Sequence, residues 1–490
     1  MKKLFLSLTA ILLSLSLAAC SAENAMSGGA AEGDLMAGAP SIAGKGEVGG
    51  AVERADADAG YEAPSEPEYD AFDDAFDGAY DMAAAEGIFG GVYDDYEIPE
   101  GYGEIPEGYE ENRIPAAAGT LTAGEWIDND HITFWNALHQ IENTGWSEYS
   151  SLWQREYTAR TFVTVTCDKQ PVENAVVTVT NSDNKTIWKA KTDNEGKAYL
   201  FYSPSQLNGG LTVTAEYRET ETTGTAIITS DNYASCSIDM TVINDIAYRR
   251  RSDSLDLMLV IDTTGSMADE LSYLQAELEN VINRAVSDNG NIPVRLSVNF
   301  YRDDGDEYVV RDFDFTDNIS QAISDLNAQS ADGGGDMPEK VNAALDNAIN
   351  SHNWNDNSTK LLFIILDAPP HNDDKDAVAD MLELTQQAAE KGIRIIPILA
   401  SGGDKEAEYL MRDMAMKTGG TYLFLTDDSG VSVGGHIQPT VGDYEVEKLN
   451  DLMVKVINRY LANSTAAAEY VDEQVELTEE QDPEITQYEQ

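Results

Sequence analysis

From residue 254 onward the chain alternates short, continuous apolar runs with stretches of helical periodicity. The runs are Asp256–Ile261, Val294–Tyr301, Lys360–Leu366, Ile393–Leu399 and Thr421–Leu425. Continuous rather than alternating apolar character marks strands buried on both faces, as in a parallel sheet. Between the runs apolar residues recur every three or four positions, as at Leu271, Leu274, Leu278, Val281 and Ile282. This spacing predicts helices near 268–288, 317–328, 338–350, 375–391, 404–417 and 443–462. A short run near Glu307–Phe313 is expected to pair antiparallel with the sheet. Residues 254–462 therefore read as α/β, a doubly wound, mostly parallel sheet with helices on both faces.

The pattern changes upstream. Residues 160–245 alternate apolar and polar positions, as in Phe162–Cys167, Ala175–Thr180, Leu211–Ala215 and Ala234–Val242, with Asn, Asp and Gly turns between them. That predicts a small antiparallel β-sandwich. The stretches Pro171-Val-Glu-Asn-Ala175 and Thr192-Asp193-Asn-Glu-Gly196-Lys-Ala-Tyr199 resemble the carboxypeptidase-regulatory-like β-sandwich modules, which act as spacers or adhesive units. Residues 119–159 carry Trp126, Trp135, Trp146 and Trp153, and Phe134, Trp135, Leu138 and Ile141 fall at helical spacing. They read as a Trp-rich helical connector packed on a folded neighbour. Residues 20–118 combine Gly, Ala, Asp, Glu and Pro with imperfect repeats such as Glu97-Ile-Pro-Glu-Gly-Tyr102 and Glu104-Ile-Pro-Glu-Gly-Tyr109. Low hydrophobicity with like charge cannot offset ordering entropy, so this is expected to be a disordered acidic linker. Such a chain reaches roughly 50–60 Å. Residues 463–490 read as an acidic disordered tail.

Charge narrows the function. Eighty-eight Asp and Glu against 31 Lys and Arg leave a formal net charge of −57. Nucleic-acid binding needs a basic footprint and is excluded on this balance, as is docking on anionic lipid through surface charge. Residues 1–19 place Lys2 and Lys3 before an apolar stretch from Leu4 to Leu17 that ends in Leu17-Ala18-Ala19-Cys20. The arrangement is that of a targeting segment. It resembles the lipobox of bacterial lipoproteins, which implies cleavage before Cys20, lipid on its thiol, and membrane attachment at the cell envelope, on the outer membrane or cell surface. No later run approaches the ~20 apolar residues of a membrane-spanning helix. Cys167 and Cys236 remain, either as a disulfide pair in an oxidising compartment or as two small buried side chains.

The chemistry gathers where the first apolar run ends, at Asp262-Thr263-Thr264-Gly265-Ser266. Ligands of such sheets collect at the carboxyl ends of the strands. The hard oxygens of Asp262, Thr264 and Ser266 suit Mg²⁺, Mn²⁺ or Ca²⁺. Two further loops stand in order behind it, Gly333-Gly-Gly-Asp336-Met-Pro338-Glu339 and Asp367-Ala-Pro-Pro370-His371. Together the three closely resemble the metal-ion-dependent adhesion site of the von Willebrand factor type A domain. The resemblance implies a cation, Mg²⁺ first, held by Asp262, Thr264, Ser266, Asp336 and Asp367. Many relatives place a threonine where Asp336 stands, and Asp336 either ligates the cation or caps the helix that follows. Asp303 reads as a solvated turn, and His371 is set aside because hard cations rarely take imidazole. The chain shows no phosphate loop, zinc-protease motif or nucleophile elbow, so it is not expected to be an enzyme. The expected function is binding of a protein or glycan partner through the cation. The alternative is a scaffold subunit with a structural cation.

Overall fold

The structure, a computed structural model, describes residues 121–462 apart from 142–144, 156–158, 204–210, 218–219, 226, 229–232, 241–251, 336 and 427–435. Cys20, the linker and the acidic tail lie outside the described residues, as does Asp336. No described helix is long and apolar enough to cross a membrane.

The first strand, β1 (Thr122–Trp126), is followed by helices α1 (Ile132–Leu138) and α2 (Trp146–Leu152). The β-sandwich comprises β2 (Ala159–Cys167), β3 (Gln170–Pro171), β4 (Val176–Asn181), β5 (Thr186–Lys191), β6 (Lys197–Tyr202), β7 (Leu211–Tyr217), β8 (Thr220–Thr225), β9 (Ile227–Ile228) and β10 (Tyr233–Met240). The α/β part follows with β11 (Ser254–Asp262), α3 (Ala268–Asp288), β12 (Val294–Tyr301), β13 (Val310–Arg311), α4 (Ile319–Asn327) and α5 (Val341–Asp346). It ends with β14 (Ser358–Leu366), α6 (Lys375–Lys391), β15 (Ile393–Leu399), α7 (Lys405–Thr418), β16 (Tyr422–Thr426), β17 (Glu447–Lys448) and α8 (Leu449–Leu461).

The large sheet has eight described strands in the order β13-β12-β11-β14-β15-β16-β1-β17. Strands β12, β11, β14, β15 and β16 run parallel, and β13 pairs antiparallel with β12 as expected. Helix boundaries follow local chemistry. Asp374 and Asp404 accept hydrogen bonds from Asp376 N and Ala407 N at the starts of α6 and α7, and both helices end on glycines with left-handed backbones, Gly392 and Gly419. Helix α3 buries Leu271, Leu274, Leu278, Val281 and Ile282, the stripe its spacing predicts. One apolar cluster joins that stripe to one face of the sheet and to α8. The other face, with α6 and α7, shares a continuous core with the Trp-rich segment and the sandwich.

Two expectations are corrected, and the alternative for the cysteines is decided. The Trp-rich stretch is more than a helical connector, because β1 lies antiparallel between β16 and β17, opposite residues about three hundred positions away (Thr122 faces Thr426). Gly124 makes this insertion fit: a Cβ there would stand 2.5 Å from the Phe424 ring and 2.8 Å from Tyr444. The sandwich is also not wholly antiparallel, since β2 and β10 pair in parallel. That register places Cys236 opposite Val163 and Cys167 opposite Met240. The cysteines are thus offset by four residues, about 13 Å along the strands, and no disulfide joins them. Both are buried, which is the small-apolar alternative.

Candidate metal centre

The strand order reverses between β11 and β14, because the chain leaves β11 towards β12 on one side and returns as β14 on the other. Such a switch point opens a crevice at the carboxyl ends. Asp262 closes β11 and Asp367 directly follows β14, so the topology alone sets the two carboxylates across this crevice.

The first loop folds on Asp262. Its Oδ1 accepts hydrogen bonds from Thr264 N and Thr264 Oγ1, both 2.8 Å. Its Oδ2 is buried and makes no hydrogen bond of ordinary geometry, the buried Tyr301 hydroxyl being the further donor that acts on this carboxylate. Asp262 and Thr264 are buried, whereas Ser266 is exposed and lines the same cavity as Asp367. The second loop arches over the first on glycines: Gly265 N donates to Gly333 O at 3.2 Å, and Gly333 and Gly334 have φ of 82° and 75°. Only glycine adopts this region without strain. Asp306 braces the arch by accepting from Gly334 N and Asp303 N. The result is a cavity of about 380 Å³ walled by Thr264, Ser266, Gly333, Gly334, Glu339 and Asp367, among others.

Residues 256–434 match the von Willebrand factor A domain family. The chain contains a von Willebrand factor A domain. Its relatives include an ariadne-like RING finger protein of Acanthamoeba polyphaga mimivirus, 27% identical over 186 residues, which cover 35% of this chain and 18% of that protein. An alpha-protein kinase of Dictyostelium discoideum is 26% identical over 132 residues, 27% of this chain and 21% of that protein. The chain spans about a fifth of the length of these relatives. Similar solved structures include the conserved hypothetical protein BatB from Bacteroides thetaiotaomicron, with TM-score 0.30 and 12% identity over 42% of this chain and 98% of that one. An aerotolerance-related membrane protein from Bacteroides fragilis gives TM-score 0.28 and 16% identity over 42% of this chain and 100% of that one.

Electrostatics in the A domain site run against its carboxylates. Burial, then repulsion from Asp367, raises Asp262 to about 7. Burial also raises Asp367, with the nearby Ser266 hydroxyl acting against it. Burial, then Asp262 and Asp303, raises Glu339 to about 9. Opposite charge is what these groups lack. The donor set is two hydroxyls and two carboxylates, all hard oxygens, with an orphaned buried carboxylate oxygen among them, and it fits a divalent cation. Among the described residues no three acidic, histidine or cysteine side chains meet closely enough to hold an ion by themselves.

Of the five ligand candidates the structure brings four together: Asp262, Thr264, Ser266 and Asp367. Asp303 is no solvated turn. It is buried, and its Oδ1 lies 2.8 Å from His371 Nε2. Sequence reasoning also missed Glu270, whose buried carboxylate accepts from Ser401 N and Oγ and so fixes the loop carrying Gly402, another part of the cavity wall. Glu339 was missed as well. Its signal was available, a carboxylate one residue after a proline in a loop that opens on three glycines.

Proposed function

We propose that the A domain binds a protein or glycan partner through a divalent cation, Mg²⁺ first and Mn²⁺ or Ca²⁺ as alternatives. Thr264 and Ser266 ligate it, Asp262 and Asp367 ligate it directly or through water, and Asp336 is a further ligand or a helix cap. The observation that carries this reading is the buried, unpartnered Asp262 Oδ2 beneath a cavity whose mouth holds the exposed Ser266. Mg²⁺ retains several waters, and an oxygen of a partner replaces one of them. The chain acts by binding rather than catalysis, its hydroxyls and carboxylates being taken up as ligands of the cation. Lipid on Cys20 holds it in the cell envelope, on the outer membrane or cell surface, with residues 20–118 as tether.

The test is binding of the labelled full-length chain to arrayed envelope glycans and proteins, in Mg²⁺ and in EDTA. Binding should vanish in EDTA and in Asp262→Ala. Binding that survives both contradicts the proposal. A scaffold subunit with a structural cation is the second reading, favoured by the deep burial of Asp262 and Asp367, 0% and 7% exposed. Protease treatment of intact cells separates the two, because only a surface-displayed binder is shaved.

A further inference from the structure

One exposed sulfur stands on the wall of the A domain's cavity. Met337 is 48% exposed, whereas every other described methionine is at most 4% exposed. The backbone holds it there. Pro338 disfavours a helical backbone at the residue before it, so Met337 stays in the loop. That loop is anchored on both sides: Gly265 N donates to Gly333 O at 3.2 Å before it, and Glu339 N donates to Pro369 O at 3.0 Å after it. The second bond, with the bridge between Glu339 and Pro370, ties the loop to the one that carries Asp367. Met337 thus lines the same cavity as Thr264, Ser266 and Asp367. As a thioether it offers a hard cation little, because its sulfur is soft.

Resting on the cation-binding reading above, we propose that Met337 is an oxidation site, at which a peroxide converts the thioether to a sulfoxide whose oxygen then helps to hold the cation. In that step a sulfur lone pair attacks one peroxide oxygen, so that the S–O bond forms and the O–O bond breaks. The sulfur is oxidised by two electrons and the peroxide is reduced. With hydrogen peroxide, the departing hydroxide takes up the proton of the transferred oxygen and leaves as water. Exposure decides which methionine reacts first. The product exchanges a soft, weakly accepting sulfur for a hard oxygen acceptor. That oxygen replaces a cation-bound water or accepts a hydrogen bond from one. A sulfoxide carries no net charge, so the gain requires no particular number of ionised carboxylates around the cation. Methionine sulfoxide reductases return the thioether, which makes the change reversible.

In the experiment the full-length chain is treated with graded hydrogen peroxide, freed of it, mapped by peptide mass spectrometry and titrated calorimetrically with Mg²⁺. Met337→Leu, which keeps the apolar bulk and removes the sulfur, is carried alongside. Met337 should be oxidised at lower peroxide than the buried methionines. Once it is oxidised, Mg²⁺ should bind the wild type severalfold more tightly, and the reductases should return the starting affinity. The variant should bind Mg²⁺ equally before and after peroxide. Met337 reacting no faster than the buried methionines overturns the proposal. So does unchanged or weakened Mg²⁺ affinity in the oxidised wild type, or an equal shift in the variant. Absence of saturable Mg²⁺ binding to the untreated wild type contradicts the cation-binding reading itself, while the mass map still reads the reactivity of the methionine.

Discussion

Around α7 and at the mouth of the β11–β14 crevice the chain buries charge in opposite ways. Beside α7, Arg412 is fully buried and holds Asp128 through two hydrogen bonds of 2.6 and 3.0 Å, with Glu408 at 3.4 Å and the rings of Trp135 and Trp146 about it. Asp413 is likewise shared by Arg155, at 2.5 Å, and Lys417. Asp128 and Arg155 reach α7 from far upstream, Glu408 and Lys417 pair within it, and each carboxylate named has a cation. At the crevice Asp262, Asp367 and Glu339 are buried near one another without one. The first arrangement joins the Trp-rich segment to the A domain. The second leaves carboxylates that, among the described residues, have no basic partner, a demand that protons or a cation can meet. Burial alone does not mark a functional carboxylate, whereas burial without compensation does.

Breaking the paired side should cost most. Arg412→Leu leaves Asp128 buried without its base and Glu408 with Lys405 alone, and loss of one partner of a buried pair costs about 3–5 kcal/mol. Urea unfolding of the variant measures it. A loss below about 1 kcal/mol would place this network with weak surface pairs.

The unpaired side should respond to pH and cation. Asp262, raised to about 7 by burial and then Asp367, gives stability that is complete below the unfolded value and is lost as pH rises through the folded one. For the cation-free chain this amounts to on the order of 3–4 kcal/mol between about pH 4 and pH 8. Glu339, raised to about 9, extends the loss to higher pH. Urea midpoints in EDTA should therefore fall more steeply with pH for the wild type than for Asp262→Asn, and saturating Mg²⁺ should flatten the wild-type slope. Parallel slopes for the two proteins in EDTA would remove the contrast.

The rim pair should matter least. His371 and Asp303 lie 2.8 Å apart with side chains 19% and 11% exposed. His371→Gln should change stability by less than about 1 kcal/mol, and Mg²⁺ affinity should fall by less than the roughly tenfold loss that follows removal of a ligand's own hydrogen-bond partner, because the pair is hydrogen-bonded to itself and to Asp306. A larger loss in affinity would draw the pair into the cation site.

Legibility in the sequence follows the range of the forces involved. The parallel core was legible because each strand is an unbroken apolar run and each helix carries its own stripe and caps; β12, β15 and α6 fall on the expected residues. Asp262, Thr264, Ser266 and Asp367 were legible because their spacing sets them at strand ends. The strand Thr122-Ala-Gly-Glu-Trp126 was not, since it has neither an apolar run nor alternation, and its partners at Tyr422–Thr426 and Glu447–Lys448 lie far along the chain. Asp303 read as solvated because its cover comes from His371, in a different loop. Glu339 depends on a bridge to Pro370 and on the glycine arch, which are tertiary facts. The offset of Cys167 and Cys236 depends on a parallel register that alternation alone does not determine.

The claim that the hydroxyl and carboxylate cradle holds a cation is tested most directly by calorimetric titration of Mg²⁺ into the full-length chain and an Asp262→Ala, Ser266→Ala double variant. Full length is required because β1, far upstream of the A domain's first parallel strand, is part of its sheet. Saturable one-site binding that disappears in the variant is the predicted result. Equal, weak heats from both proteins would contradict it, leaving only diffuse attraction to an acidic surface.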